Sequence, residues 1–187
     1  MSRIIFNHES AERFIPGTVG LPGERQFFIQ ISSLDGVHAV ALEKSQVAAL
    51  AERSRELIRE LRRSGLASAE ELSALSVKDL APLDFPITEE FQVGLMAITW
   101  DSEIQRAILE IQEMGDDRVS DMLSQEESEE MEDAPSLIRV KLRINQLRAF
   151  CDRADSLMAS GRQPCPFCGL PIDMEGHLCP RANGYRR

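Results

Sequence analysis

The chain has 187 residues, 43% of them apolar and 28% charged, enough to bury a core and too apolar for a polypeptide disordered throughout. Its formal charge is −10, and no stretch approaches the roughly 18 uninterrupted apolar residues of a membrane-spanning helix. The opening Met1-Ser-Arg-Ile-Ile-Phe-Asn-His8 lacks the apolar run of a secretory signal, so the expected setting is the cytoplasm, with no membrane partner.

Taken in chain order, the alternation of apolar and polar residues predicts a strand ending at Thr18-Val19-Gly20. Strands over Phe27–Ser32 and Val37–Glu43 follow, joined at Asp35-Gly36 by a hairpin turn. A helix comes next, with Ser45 placed to cap its first free amides and Gly65 to stop it. Val47, Leu50, Ala51, Leu57, Ile58 and Leu61 fall on one stripe of that helix. Residues 66–90 read as a connector with a short helix over Ser68–Leu80, and Pro82 and Pro86 mark irregular chain.

Further strands are expected over Phe91–Asp101, Arg106–Glu113 and Leu137–Leu142, then a second helix capped by Asn145 and followed by Gly161. Its stripe is Leu147, Phe150, Cys151, Ala154, Leu157 and Met158. Between the last two strands lies an acidic loop, residues 115–133. Nine acids and one base, Arg118, fall there, eight of the ten net negative charges. A charged, aromatic-free stretch cannot bury enough surface to offset its ordering entropy. It reads as a solvated loop or an acidic docking arm, and the rest of the chain is nearly neutral.

One segment recurs at an offset of 100 residues. Val40–Leu57 aligns without gaps on Val140–Leu157, with six of 18 positions identical. Helices share a generic periodicity, so chance likeness competes with duplication, but the ungapped strand-to-helix junction favours duplication. The expected fold is therefore α+β: a duplicated βββα unit forming a mainly antiparallel sheet with helices on one face, plus a C-terminal zinc knuckle. The first repeat spans 1–65, the connector 66–90, the second repeat 91–160, and the knuckle with a basic tail 161–187.

The knuckle carries the most specific pattern in the chain. Cys165, Cys168, His177 and Cys179 follow a C-x2-C-x8-H-x-C spacing. Zinc takes four soft or borderline ligands in a tetrahedron, and structural sites supply them as close Cys and His pairs. Gly169 frees the backbone to turn after the second thiolate. A redox pair would need a βαβ context that residues 160–187 do not provide, a disulfide conflicts with a reducing compartment, and four protein ligands leave no open position for catalysis. One structural Zn2+ is expected, with metal binding and folding of residues 163–187 a single event.

Other residues have plain readings. Cys151 falls on the helix stripe at the position that Ala51 holds in the first repeat and reads as core. His8 and His38 have no spaced acidic or thiol partner, and Trp100 reads as core at a strand end. Gly17, Gly20 and Gly23 match neither a P-loop nor a dinucleotide fingerprint. The tail holds Arg181, Asn183, Tyr185, Arg186 and Arg187, which are suited to bidentate anion contacts and stacking or to pairing with the domain's own carboxylates.

The tail Cys165-Pro-Phe-Cys-Gly-Leu-Pro-Ile-Asp-Met-Glu-Gly-His-Leu-Cys-Pro-Arg-Ala-Asn-Gly-Tyr-Arg-Arg187 resembles the carboxyl terminus of an actinobacterial family known as domain of unknown function 3090. Phe14-Ile-Pro-Gly-Thr-Val-Gly-Leu-Pro-Gly-Glu-Arg25, the Phe91–Asp101 strand and the Ser160-Gly-Arg-Gln-Pro approach to the knuckle extend the likeness over nearly the whole chain. The resemblance implies no activity. It implies a bacterial cytoplasmic protein whose gene neighbours a histidine-phosphatase-like and a lipid-kinase-like gene, and so a protein partner. Three functions remain open: a binding or adaptor protein, an enzyme or binder of a small phosphorylated metabolite clamped by Arg181, Arg186 and Arg187, and an RNA-binding protein. The acidic loop opposes long-range attraction of nucleic acid.

Overall fold

The computed structural model describes residues 4–76, 78–115, 135–161, 165–170, 172 and 176–181. Strands β1 (Ile5–His8), β2 (Arg13–Val19), β3 (Gln26–Ser33) and β4 (Gly36–Leu42) precede helix α1 (Lys44–Ser64) and the short α2 (Ala69–Ser73). Strands β5 (Glu89–Asp101), β6 (Arg106–Glu113) and β7 (Leu137–Leu142) then lead into α3 (Ile144–Ala159). The class is α+β, and the order β2-β3-β4-α1 is followed by β5-β6-β7-α3. Apart from Gly115, the acidic loop lies outside the described residues. Among the described residues no helix is long and apolar enough to cross a membrane.

The strands form a seven-stranded sheet in the order β1-β7-β6-β5-β4-β3-β2, antiparallel except for β1 with β7 and β4 with β5. Laid flat about 4.8 Å apart, seven strands would hold the edges β1 and β2 about 29 Å from each other. Yet only residues 9–12 link these edges, a stretch that spans at most about 18 Å. The sheet must bend. Of the two seams beside β5, that with β4 is the more sparsely paired, confined to Ala39 with Glu89 and Ala41 with Gln92 across a register shift.

Bending gives the sheet an inner face, and α1 and α3 pack there. Val47, Leu50, Ala51, Leu57, Ile58 and Leu61 of α1 are buried, as the stripe requires. Leu147, Phe150, Cys151 and Ala154 of α3 are buried too, whereas Leu157 and Met158 are half-buried near the helix end. These residues join Phe14, Ile29, Ile31, Val40, Leu109 and Val140 in one core. On the outer face, Ile15, Phe28 and Ala41 pack under Leu83 of the connector. Gly17 makes that approach possible, since a Cβ there would stand 2.5 Å from the Leu83 side chain. Buried Gln30 fixes the same strap by accepting from the Asp84 amide at 2.8 Å and donating to the Asp84 carbonyl at 3.0 Å.

Three local expectations need correction. The helices are not capped by Ser45 and Asn145, which lie inside the first turns; the N-cap residues are Glu43 and Arg143. The Glu43 amide donates to the Oε1 of Gln46 at 2.8 Å and the Arg143 amide to that of Gln146 at 2.9 Å, so the glutamine half of a capping box closes each start. The connector helix over Ser68–Leu80 is also shorter than expected, ending at Ser73. Arg148 of α3 takes two carbonyls that a longer helix needs, donating to Leu72 and Ala74, and Arg153 of α3 holds the chain further on at the Asp79 carbonyl. Finally, β1 was not expected at all. Four residues are too few for a visible alternation, and parallel pairing with β7 supplies what local pattern lacks.

Candidate metal centre

The C-terminal segment positions its donors through its backbone. Cys165 donates its amide to the Leu170 carbonyl at 2.7 Å and accepts from the Gly169 amide at 2.8 Å, closing a tight loop around the first thiol pair. Gly169 adopts φ +76° with nothing within 4 Å of a built Cβ, so conformation rather than space calls for glycine. Beyond the loop the chain returns to bring His177 and Cys179 onto the same point.

One donor atom from each of Cys165, Cys168, His177 and Cys179 lies within 4.8 Å of all the others. The Sγ atoms of Cys165 and Cys179 are 3.8 Å apart, and Cys168 Sγ lies 3.1 Å from His177 Nε2. Sulfurs about 2.3 Å from a tetrahedral zinc ion stand about 3.8 Å from each other. Cys165 and Cys179 are buried, while Cys168 and His177 are half-exposed. Such a set can hold one metal ion, and three sulfurs with one imidazole suit zinc better than the oxygen-seeking cations.

A profile described as protein of unknown function (DUF3090) matches residues 6–179. The chain belongs to the DUF3090 family. No curated protein and no solved structure matches it. The DUF3090 match runs from β1 to Cys179, the last of the four donors, so it takes in both the bent sheet and the metal-binding segment.

Of the tail residues expected to bind a ligand or partner, Arg181 is exposed and donates Nη1 to the Phe167 carbonyl at 3.2 Å. It thereby braces the DUF3090 knuckle. Asn183, Tyr185, Arg186 and Arg187 lie outside the described residues. Cys151 is buried core, and burial pushes its thiol pKa up to about 11. Trp100 packs half-buried against the core, its Nε1 shielded with no acceptor among the described residues. Gly17 lies in β2, and Gly20 and Gly23 flank the β2–β3 turn.

Reading the residues locally missed one cluster in this DUF3090 fold. His8 on β1 is buried and meets Ser33 Oγ at 2.7 Å through Nδ1 and His38 Nδ1 at 3.0 Å through Nε2. The Phe6 ring lies 4.3 Å from that of His38, and Ser33 contacts both the carboxylate and the amide of Asp35. The group ties β1 to the β3–β4 hairpin, which no pairing joins directly. His38 alternates with core residues Val40 and Leu42, and that pattern was the available sign that it faces inward.

Proposed function

We propose that this chain is a cytoplasmic, zinc-stabilised binding protein in which residues 161–187 present a recognition edge to a protein partner. The observation that carries the reading is the exposure of Phe167, Leu170 and Leu178, at 64%, 51% and 87%, within the segment that the four donors gather. Large apolar side chains grouped on so small a unit are costly in water and mark interaction surfaces. A closed Cys3His shell supports a structural ion, because it leaves no position for substrate or water.

The sheet and helices form the platform for this edge, and we take that platform to be a duplicated βββα unit. Gln46 and Gln146 support the duplication. Each closes the start of its helix and reaches across to a carbonyl of another segment, Val93 at 3.1 Å and Ala11 at 2.7 Å respectively.

The test compares the zinc-loaded chain with a Phe167→Ser/Leu178→Ser variant of equal zinc content as bait in native extract. A partner retained by the first and lost by the second supports the reading. Equal recovery by both baits, or no partner above background for either, overturns it.

A further inference from the structure

A cleft of about 740 Å³ opens between the segment 10–15, the connector at 78–81 and the first turns of α3. It is built from different elements than the knuckle. Its volume lies in the range of small-molecule sites. The wall is charged on both signs, and the ion pairs sort its residues into committed and free groups. Arg13 is held by Asp79 and Asp84, Arg106 by Glu71, and Lys141 by Glu9. Lys78 and Arg143 also line the cleft, are exposed, and have no acidic partner among the described residues. Two cations without an ion-pair partner at one opening can take an anion, and the guanidinium fork suits a phosphate.

The remaining wall asks for the opposite chemistry. Asn145 lines the cleft, and its Oδ1 is shielded from water with no donor among the described residues. A buried acceptor left without a donor is unfavourable, and a turn of the Asn145 amide toward the cleft would let a ligand hydroxyl supply that donor. Glu12 adds an exposed carboxylate with no side-chain partner among the described residues. It disfavours a bare anion and accepts from hydroxyls.

From this juxtaposition we infer that the cleft binds a small phosphorylated polyol, its phosphate between Lys78 and Arg143 and its hydroxyls toward Asn145 and Glu12. This site is independent of the partner surface on the knuckle. It also differs from an anion clamp made by the tail arginines.

The experiment is calorimetric titration of the zinc-loaded full chain with glycerol phosphate, glucose phosphate and ribose phosphate, with glucose and inorganic phosphate as single-feature controls. At least one phosphorylated polyol should bind saturably and more tightly than both controls. The Lys78→Gln/Arg143→Gln variant should lose roughly tenfold or more in affinity. Asn145→Leu should weaken the polyol phosphate while leaving inorganic phosphate unchanged. The proposal is overturned if none of the three binds at about 10 mM, or if both variants bind like the parent. A Phe167→Ser/Leu178→Ser chain should bind normally, so failure here and failure of the partner surface are read separately.

Discussion

Cys151 donates its Sγ–H to the carbonyl oxygen of Ala51 at 3.3 Å, across the contact between α3 and α1 and one hundred residues apart in sequence. A thiol can reach the backbone of a facing helix only where both helices carry small side chains. Overfilling such a contact typically costs about 1–3 kcal/mol. Ala51→Leu should lower stability by that amount in urea denaturation, while the same change at the exposed Ala49 should move it by about 0.5 kcal/mol or less.

The same contact protects the thiol. With its pKa raised to about 11 by burial, Cys151 holds about one thiolate per thousand at pH 8. The native, metal-loaded chain should leave Cys151 unalkylated by iodoacetamide in peptide mapping, and urea should make it reactive.

His8 gives stability a defined pH dependence. Burial and then the neighbouring His38 ring hold its pKa below the usual value, against an opposing pull from Asp35. The unfolded chain, with a histidine pKa of about 6.5, therefore takes up a proton that the folded chain resists. This contribution is complete at neutral pH and is lost as pH falls below about 6.5. Urea midpoints should drop between about pH 7.5 and about pH 5.5, and His8→Gln should drop less. Any loss of metal at the lower pH affects both chains, so the difference between them isolates His8.

Arg13 is the clasp of the connector. It bonds Asp79 and Asp84 and also donates to the carbonyls of Ala81 and Pro82 at 3.0 and 2.8 Å, with its side chain only 17% exposed. Arg13→Gln should cost about 2–4 kcal/mol. Arg13→Lys should recover only part of that, because an ammonium lacks the planar fork. Equilibrium unfolding of the two variants checks both statements.

Much of the fold could be read from the sequence because it follows local periodicity. Strands β2 to β7 and both long helices lie where alternation and stripes place them, and Cys165, Cys168, His177 and Cys179 converge as their spacing requires. What was not legible depends on contacts distant in sequence. Strand β1 exists through β7, the connector helix stops where Arg148 takes the Leu72 and Ala74 carbonyls, and His8 meets Ser33 and His38 only because the sheet bends. The cleft belongs to the same class: Lys78 and Arg143 are 65 positions apart, and no spacing rule connects them.

The metal-binding segment is sensitive to its turn. At φ +76° a side chain at position 169 costs about 1–2 kcal/mol. Gly169→Ala should therefore weaken zinc binding roughly five- to thirtyfold in competition with a chromophoric chelator.

The most direct measurement is the zinc content of the purified chain by elemental mass spectrometry, set beside that of Cys168→Ser. The account predicts one zinc per chain and a clear loss in the variant. A parent chain with no bound zinc, or a Cys168→Ser chain that keeps a full equivalent, would contradict it.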